Sequence, residues 1–155
     1  MFAGVALAYS AVPTELIERH RLRGRTHDRG GEPEVQFLLG DAERELPVWL
    51  EGRLQIVRWG NRRGQSAGLP CTAWTWLSTV EAGRWAEWAA EPVVIPAAMG
   101  LDKGVWYQVR EGVRGVAVRD EHGRPVVYVL VEPASHYYRV MTRSEWMPVL
   151  IGERI

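Results

Sequence analysis

Side chains with reactive potential are few and scattered. Ser135 and His136 fall near the carboxylates Glu132 and Glu145, which are the residue types of a hydrolytic triad. No Gly-x-Ser-x-Gly turn is present to expose a serine, and His136 before Tyr137-Tyr138 reads as a residue at a helix end. Cys71 is the only cysteine, so it cannot close an intrachain disulfide. A nucleophile–base pairing of Cys71 with His136 has no spacing argument behind it. No Cys/His cluster has zinc spacing, so neither a metal nor a cofactor is expected. Gly100 and Gly104 do not fit the Gly-x-Gly-x-x-Gly order of a phosphate loop. Met1 carries an α-amine, a group that can form a Schiff base with an aldehyde.

Donors for phosphate are more plentiful. Lys103 is the only lysine, and the remaining basic side chains are arginine. Either a GC-rich coding bias or phosphate recognition by guanidinium forks accounts for this. Arg19, Arg21, Arg23, Arg25 and Arg29 form one basic patch. Arg58, Asn61, Arg62 and Arg63 form a second around a donor-rich loop. The chain has 8 tryptophans. Most are expected in the core, and Trp59 and Trp106 are candidates to stack on a base.

Composition bounds the partners. A chain of 155 residues is expected to form one domain, residues 1–155, with a substantial core. Formal net charge is +0, which gives no support to strong non-specific duplex binding. The opening MFAGVALAYSAV lacks a basic n-region and is short for a signal peptide. No apolar run reaches the roughly 18–20 residues of a membrane span, so a cytoplasmic location without a membrane partner is expected.

The positioning elements follow from periodicity and punctuation. Ala3 to Tyr9 alternates as a strand, and Pro13-Thr14 opens a helix running to about Arg23. Val35 to Leu39 is a strand. Pro47 to Leu50 and Leu54 to Trp59 form a hairpin about Glu51-Gly52. Ser78 and Glu81 have capping-box spacing, which predicts a helix over 79–89 with Ala82, Trp85, Ala86 and Ala89 on one face. Strands are expected at Val93 to Ile95, Val105 to Val109, Gly115 to Arg119 and Val126 to Val131. The last is apolar on both faces and therefore central. Pro133 and Ser135 introduce a short helix from Tyr137 to Thr142. Met147 to Ile151 is a final strand or extended tail.

Several landmarks, in order, carry a resemblance. They are Met1-Phe2-Ala3-Gly4, Leu46-Pro47-Val48, Arg58-Trp59-Gly60, Val94-Ile95-Pro96-Ala97, Gly104 to Gln108 and Met147-Pro148-Val149-Leu150. This series resembles the SOS-response-associated peptidase (SRAP) family over nearly the whole chain. The family begins Met-Cys-Gly-Arg and carries an Asn-Ala-Arg-x-Glu segment, an Ile-Pro-Ala-x-Gly-Phe-Tyr-Glu-Trp segment and a His-x-Arg-Met-Pro segment. The resemblance implies an α+β fold: curved, mainly antiparallel sheets closing towards a barrel, with two or three peripheral helices. It also implies DNA-damage chemistry, in which an amino-terminal cysteine traps the aldehyde of an abasic site in single-stranded DNA.

The reactive positions have been substituted. Phe2 replaces the cysteine, Thr72 the asparagine, Gln108 the glutamate and Ser144 the histidine, while Trp74 and Trp146 stand where arginines would. Gln108 cannot exchange a proton as an acid or base near neutral pH. The expectation is a degenerate SRAP-type domain, a pseudoenzyme, with no intact catalytic set. It would retain single-stranded DNA binding through Arg58, Trp59, Asn61, Arg62, Arg63 and Trp106. The alternatives are an assembly module joining copies through exposed tryptophan, or a residual crosslinking or peptidase activity using the substituted residues.

Overall fold

A computed structural model describes residues 1–152; residues 153–155 of the expected 1–155 domain lie outside the described residues. Strands and helices are numbered in chain order. The chain opens with β1 (Phe2–Ala8), which becomes the centre of a five-stranded antiparallel sheet. It pairs with β3 (Glu34–Leu38) on one edge and β8 (Met99–Asp102) on the other. The outer strands are β2 (Thr26–His27) and β9 (Val105–Gln108), giving the order β2-β3-β1-β8-β9. Val5 pairs with Phe37 and Leu7 with Val35, and all four are buried.

The second sheet closes on itself. Its strands β4 (Glu45–Leu50), β5 (Arg53–Trp59), β7 (Glu91–Ile95), β10 (Val113–Arg119) and β11 (Pro125–Pro133) run in the order β10-β7-β4-β5-β11. β10 also pairs with β11, which completes a five-stranded barrel. Pairing is antiparallel except that β11 runs parallel to β5 and to β6 (Trp74–Trp76). β12 (Trp146–Pro148) joins the far end of β11 antiparallel. Central placement of the Val126 to Val131 run is therefore observed: Val127 and Val129 lie in the main core, while Val126, Tyr128 and Leu130 form a second cluster with Trp85. Gly115 permits close packing here, since an added Cβ would lie 2.9 Å from both Ile95 Cδ1 and the Tyr128 carbonyl oxygen.

One core joins the two sheets. Phe2, Val5 and Phe37 share a contact cluster with Val48, Ile95 and Val129. Fully burying a side chain of this kind contributes about 1.5–3 kcal/mol.

Among the described residues three α-helices flank the sheets: α1 (Thr14–Arg19), α2 (Leu77–Glu81) and α3 (His136–Thr142). The expected helix over 79–89 is cut short. Gly83 adopts φ +77, its N–H bonds to the Val80 carbonyl, and Arg84 N–H bonds to the Thr79 carbonyl. That pairing is a Schellman stop, which ends α2. Ser78 makes no side-chain cap, and Ala82, Ala86 and Ala89 are exposed, so only Trp85 of the expected face is buried. α1 is also shorter than expected and is followed by a 3-10 turn over Leu22–Arg25. β8 had no counterpart among the expected strands.

Candidate functional site

The site begins at a turn. β8 and β9 are joined by Lys103 (φ +47) and Gly104 (φ +79), the left-handed pair of a type I′ hairpin. The turn fixes Asp102, opposite Val105, at the end of β8. On the other edge of β8, Phe2 pairs with Asp102, which brings the start of the chain alongside.

α3 supplies the other side. Ser135 caps it by accepting from the Tyr138 N–H at 3.1 Å. This engages the serine of the possible triad, and His136 beside it is exposed. The helix ends on Arg143 with φ +61, and Lys103 Nζ donates to the Arg143 carbonyl at 2.7 Å, tying helix to hairpin. Thr142 Oγ1 donates to the Tyr138 carbonyl and accepts from Ser144 N–H, so Ser144 is aimed inward.

These elements converge on one carboxylate. Asp102 is 0 % exposed. Its Oδ1 accepts from the Met1 α-ammonium at 2.5 Å and from Ser144 Oγ at 2.6 Å. Its Oδ2 accepts from the Tyr138 hydroxyl at 2.7 Å. Ser144 Oγ also accepts from the Met1 ammonium at 2.8 Å, and the Tyr107 and Tyr138 hydroxyls lie 3.1 Å apart. Burial, followed by the neighbouring Tyr107 and Asp102, pushes the Tyr138 hydroxyl far above its ordinary pKa and keeps it a donor. The buried charge is thus paired and hydrogen-bonded, as burial requires. The amine is the nucleophile nearest this carboxylate. While it is an ion-paired ammonium it has no lone pair with which to attack a carbonyl.

The positions singled out by the resemblance are only partly assembled. Phe2 is 0 % exposed and packs on Trp59 with ring centroids 6.2 Å apart. Its side chain is core, and the group it presents is the backbone preceding it. Ser144 meets Met1 directly. Thr72 is linked only indirectly: the carbonyl of the adjoining Ala73 accepts from Nε1 of Trp59, the ring on which Phe2 packs, at 3.0 Å. Gln108 does not join them. It is exposed and pairs with Met99, three register steps from Asp102, or about 10 Å along the hairpin.

The expected nucleic-acid residues divide by burial. Trp59 is 1 % exposed and Asn61 0 %, so neither can face a ligand, which corrects the expectation for both. Asn61 instead organises its loop. Its Nδ2 donates to the Ser66 and Leu69 carbonyls, and its Oδ1 accepts from Ser66 N–H. Arg62 donates to the carbonyls of Leu39 and Asp41. Arg58 bonds to Ser66 Oγ and lies 3.9 Å from Asp120. Arg63 is exposed, and the Arg29 guanidinium sits 4.8 Å over the Trp106 ring.

A different aromatic group flanks the site. Trp74 and Trp76 of β6 meet Trp146 of β12 at centroid distances of 5.3 and 6.4 Å. Trp76 is 45 % exposed, and Trp74 Nε1 is buried with no acceptor among the described residues. Trp146 is two residues from Ser144.

Among the described residues no group of His, Cys, Asp and Glu could hold a metal, and no helix is long and apolar enough to cross a membrane. Comparison with protein families, curated proteins and solved structures finds no match.

Proposed function

We propose that this chain is an SRAP-like scaffold that has lost its covalent reaction and holds single-stranded nucleic acid by stacking and charge. The observation that carries the reading is the Met1 ammonium bonded to Asp102 and Ser144. It joins the start of the chain to the segment Ser144-Glu145-Trp146-Met147-Pro148, the partners the resemblance implies. Counted from Ile95 without a gap, the Ile-Pro-Ala-x-Gly-Phe-Tyr-Glu motif places its carboxylate on Asp102 rather than Gln108. That count agrees with the acid that meets Met1. Phe2, buried and without a nucleophile, supports loss of the thiol chemistry. Where arginines would grip phosphates, Trp74 and Trp146 meet edge-on and support Trp76, whose exposed ring is suited to stacking on an unstacked base.

The test is fluorescence anisotropy with a labelled single-stranded oligonucleotide, alongside duplex and an abasic strand. Salt-sensitive binding that prefers the single strand is expected. Trp76→Ala should weaken it roughly 5- to 150-fold, the worth of one stacked base. Binding no tighter than to a neutral polymer rejects the nucleic-acid reading. An adduct with the abasic strand that survives denaturation rejects the loss of covalent chemistry.

A second reading is favoured by one observation. Tyr137 and Val140, 60 % and 68 % exposed, share a face of α3 at i, i+3 spacing. This is an apolar patch of the kind an assembly module would use. Light scattering showing a monomer at all concentrations would exclude it.

A further inference from the structure

A groove of about 820 Å³ runs along the outer wall of β5, bordered by α1 and by the turn between β10 and β11. That volume lies within the range of small-molecule sites. One end is apolar. Trp49 pairs across the strands with Leu54, and Ile56 continues the floor. Trp49 is 49 % exposed, which leaves a ring face open. The other end is charged: Arg58 pairs with Glu45 across the strands, and Asp120 and Arg124 reach in from the turn.

Donors and acceptors in this groove are unevenly satisfied. Glu45 accepts from Arg25 at 3.1 Å and faces His20 at 3.4 Å. Glu15 is ion-paired with Arg19. Asp120 accepts the N–H groups of His122 and Arg124, each at 2.9 Å. Burial works to raise the Asp120 pKa, but those N–H groups and the Arg58 guanidinium outweigh it and hold the carboxyl below its ordinary value. The acids are therefore all engaged. The arginines are less so: among the described residues the Arg53 and Arg124 side chains have no acceptor, while Arg58, bonded to Ser66 Oγ and 3.9 Å from Asp120, keeps only a buried Nε without one. What the groove lacks is an acceptor-rich ligand. From Leu54 to Arg58 along β5 is about 13 Å, so the aromatic and charged ends lie within reach of one small ligand.

We infer that this groove binds a nucleoside monophosphate, its base on Trp49 beside Arg53 and its phosphate between Arg58 and Arg124. The groove shares no residue with the Asp102 site or the Trp74–Trp76–Trp146 cluster; of the residues expected to hold single-stranded DNA it contains only Arg58.

The experiment is calorimetric titration of the full chain with the four common ribonucleoside monophosphates, with the matching nucleosides and inorganic phosphate as half-ligands. At least one monophosphate is expected to bind tenfold or more tightly than either of its halves. Arg124→Gln and Trp49→Ala, both at exposed positions, should each weaken it roughly tenfold, about one charge-assisted hydrogen bond or one stacked ring. Circular dichroism of both variants should match the parent, and Trp76→Ala should leave nucleotide affinity unchanged. No heat from any monophosphate at about millimolar concentration overturns the inference. So does phosphate alone binding as tightly, affinity indifferent to Arg124→Gln, or affinity lost in Trp76→Ala.

Discussion

Replacing Asp102 by asparagine tests the network around the amino terminus most directly. The carboxylate serves three donors: the Met1 ammonium, the Ser144 hydroxyl and the Tyr138 hydroxyl. The amide keeps one acceptor oxygen and turns an NH2 group towards the remaining donors, so at least one buried hydroxyl loses its partner. Leaving a buried polar group unmet costs about 1–3 kcal/mol. The surviving bond becomes neutral, at about half the strength of a charge-assisted one. The ion pair is only part-buried and contributes about 1 kcal/mol. Together these give a loss of about 3 kcal/mol, or a fall in Tm of roughly 6–12 °C for a chain of this size. Urea denaturation and thermal melts followed by circular dichroism measure both. Blocking the Met1 amine by acetylation removes its charge and should cost about 1 kcal/mol in the parent protein. It should cost almost nothing more in Asp102→Asn, because the two changes remove the same contact. A loss below about 1 kcal/mol in Asp102→Asn, or full additivity with acetylation, would refute the argument that Asp102 ties the chain start to α3.

Other expectations are equally concrete. Asn61→Ala removes three buried hydrogen bonds, so a loss of about 2–4 kcal/mol in urea denaturation is expected. Any change in nucleic-acid affinity in that variant should track unfolding and not direct contact. Gly60→Ala should lower Tm by more than any exposed substitution. Gly60 has φ +70, and a Cβ would fall 2.5 Å from the Thr72 carbonyl oxygen, so both strain and clash oppose it. At alkaline pH, burial pushes the Tyr128 hydroxyl up to about 12. The folded pKa lies above the unfolded one, so this stability is complete below about pH 10 and is lost as pH rises through about 12. Tyr138 shifts in the same direction. Tyr128→Phe should therefore flatten the alkaline decline by about 2–3 kcal/mol, measured as urea midpoints from pH 9 to 12.

How far the molecule can be read from its residues depends on where the information lies. The central strand is legible because Val126 to Leu130 is apolar at every position, a pattern that only two-sided burial explains. The hairpin of β4 and β5 is legible through Glu51-Gly52, both of which take positive φ. The antiparallel sheets, the barrel closure and the peripheral helices accord with the expected architecture. β8 is not legible: Met99-Gly100-Leu101-Asp102 has a glycine and no alternation to mark it. Its glycine is explained only by Tyr107 lying across the neighbouring strand, 2.7 Å from where a Cβ would be. The helix over 79–89 is over-read because alanines at helical spacing imitate an apolar face. Asp102 reads locally as a turn residue before Lys103-Gly104, and its role arises from contacts 101 and 42 residues away along the chain. Trp59 ends β5 and Asn61 opens the arginine-rich loop that follows; the composition there suggests a surface, whereas their burial follows from packing.

The parallel pairing that seals the barrel has a consequence for synthesis. β5 and β11 are matched at Arg58 with Val126 and at Trp59 with Val127, so β5 waits for a partner that begins 66 residues further along the chain, directly after β10. Until then the incomplete sheet, first β5 with β4 and then with β7, carries two bare margins of backbone donors and acceptors, each able to recruit another chain. A ring with such distant closure forms slowly, and shielding by a holdase during translation should raise the recovered yield more than any change to the finished surface.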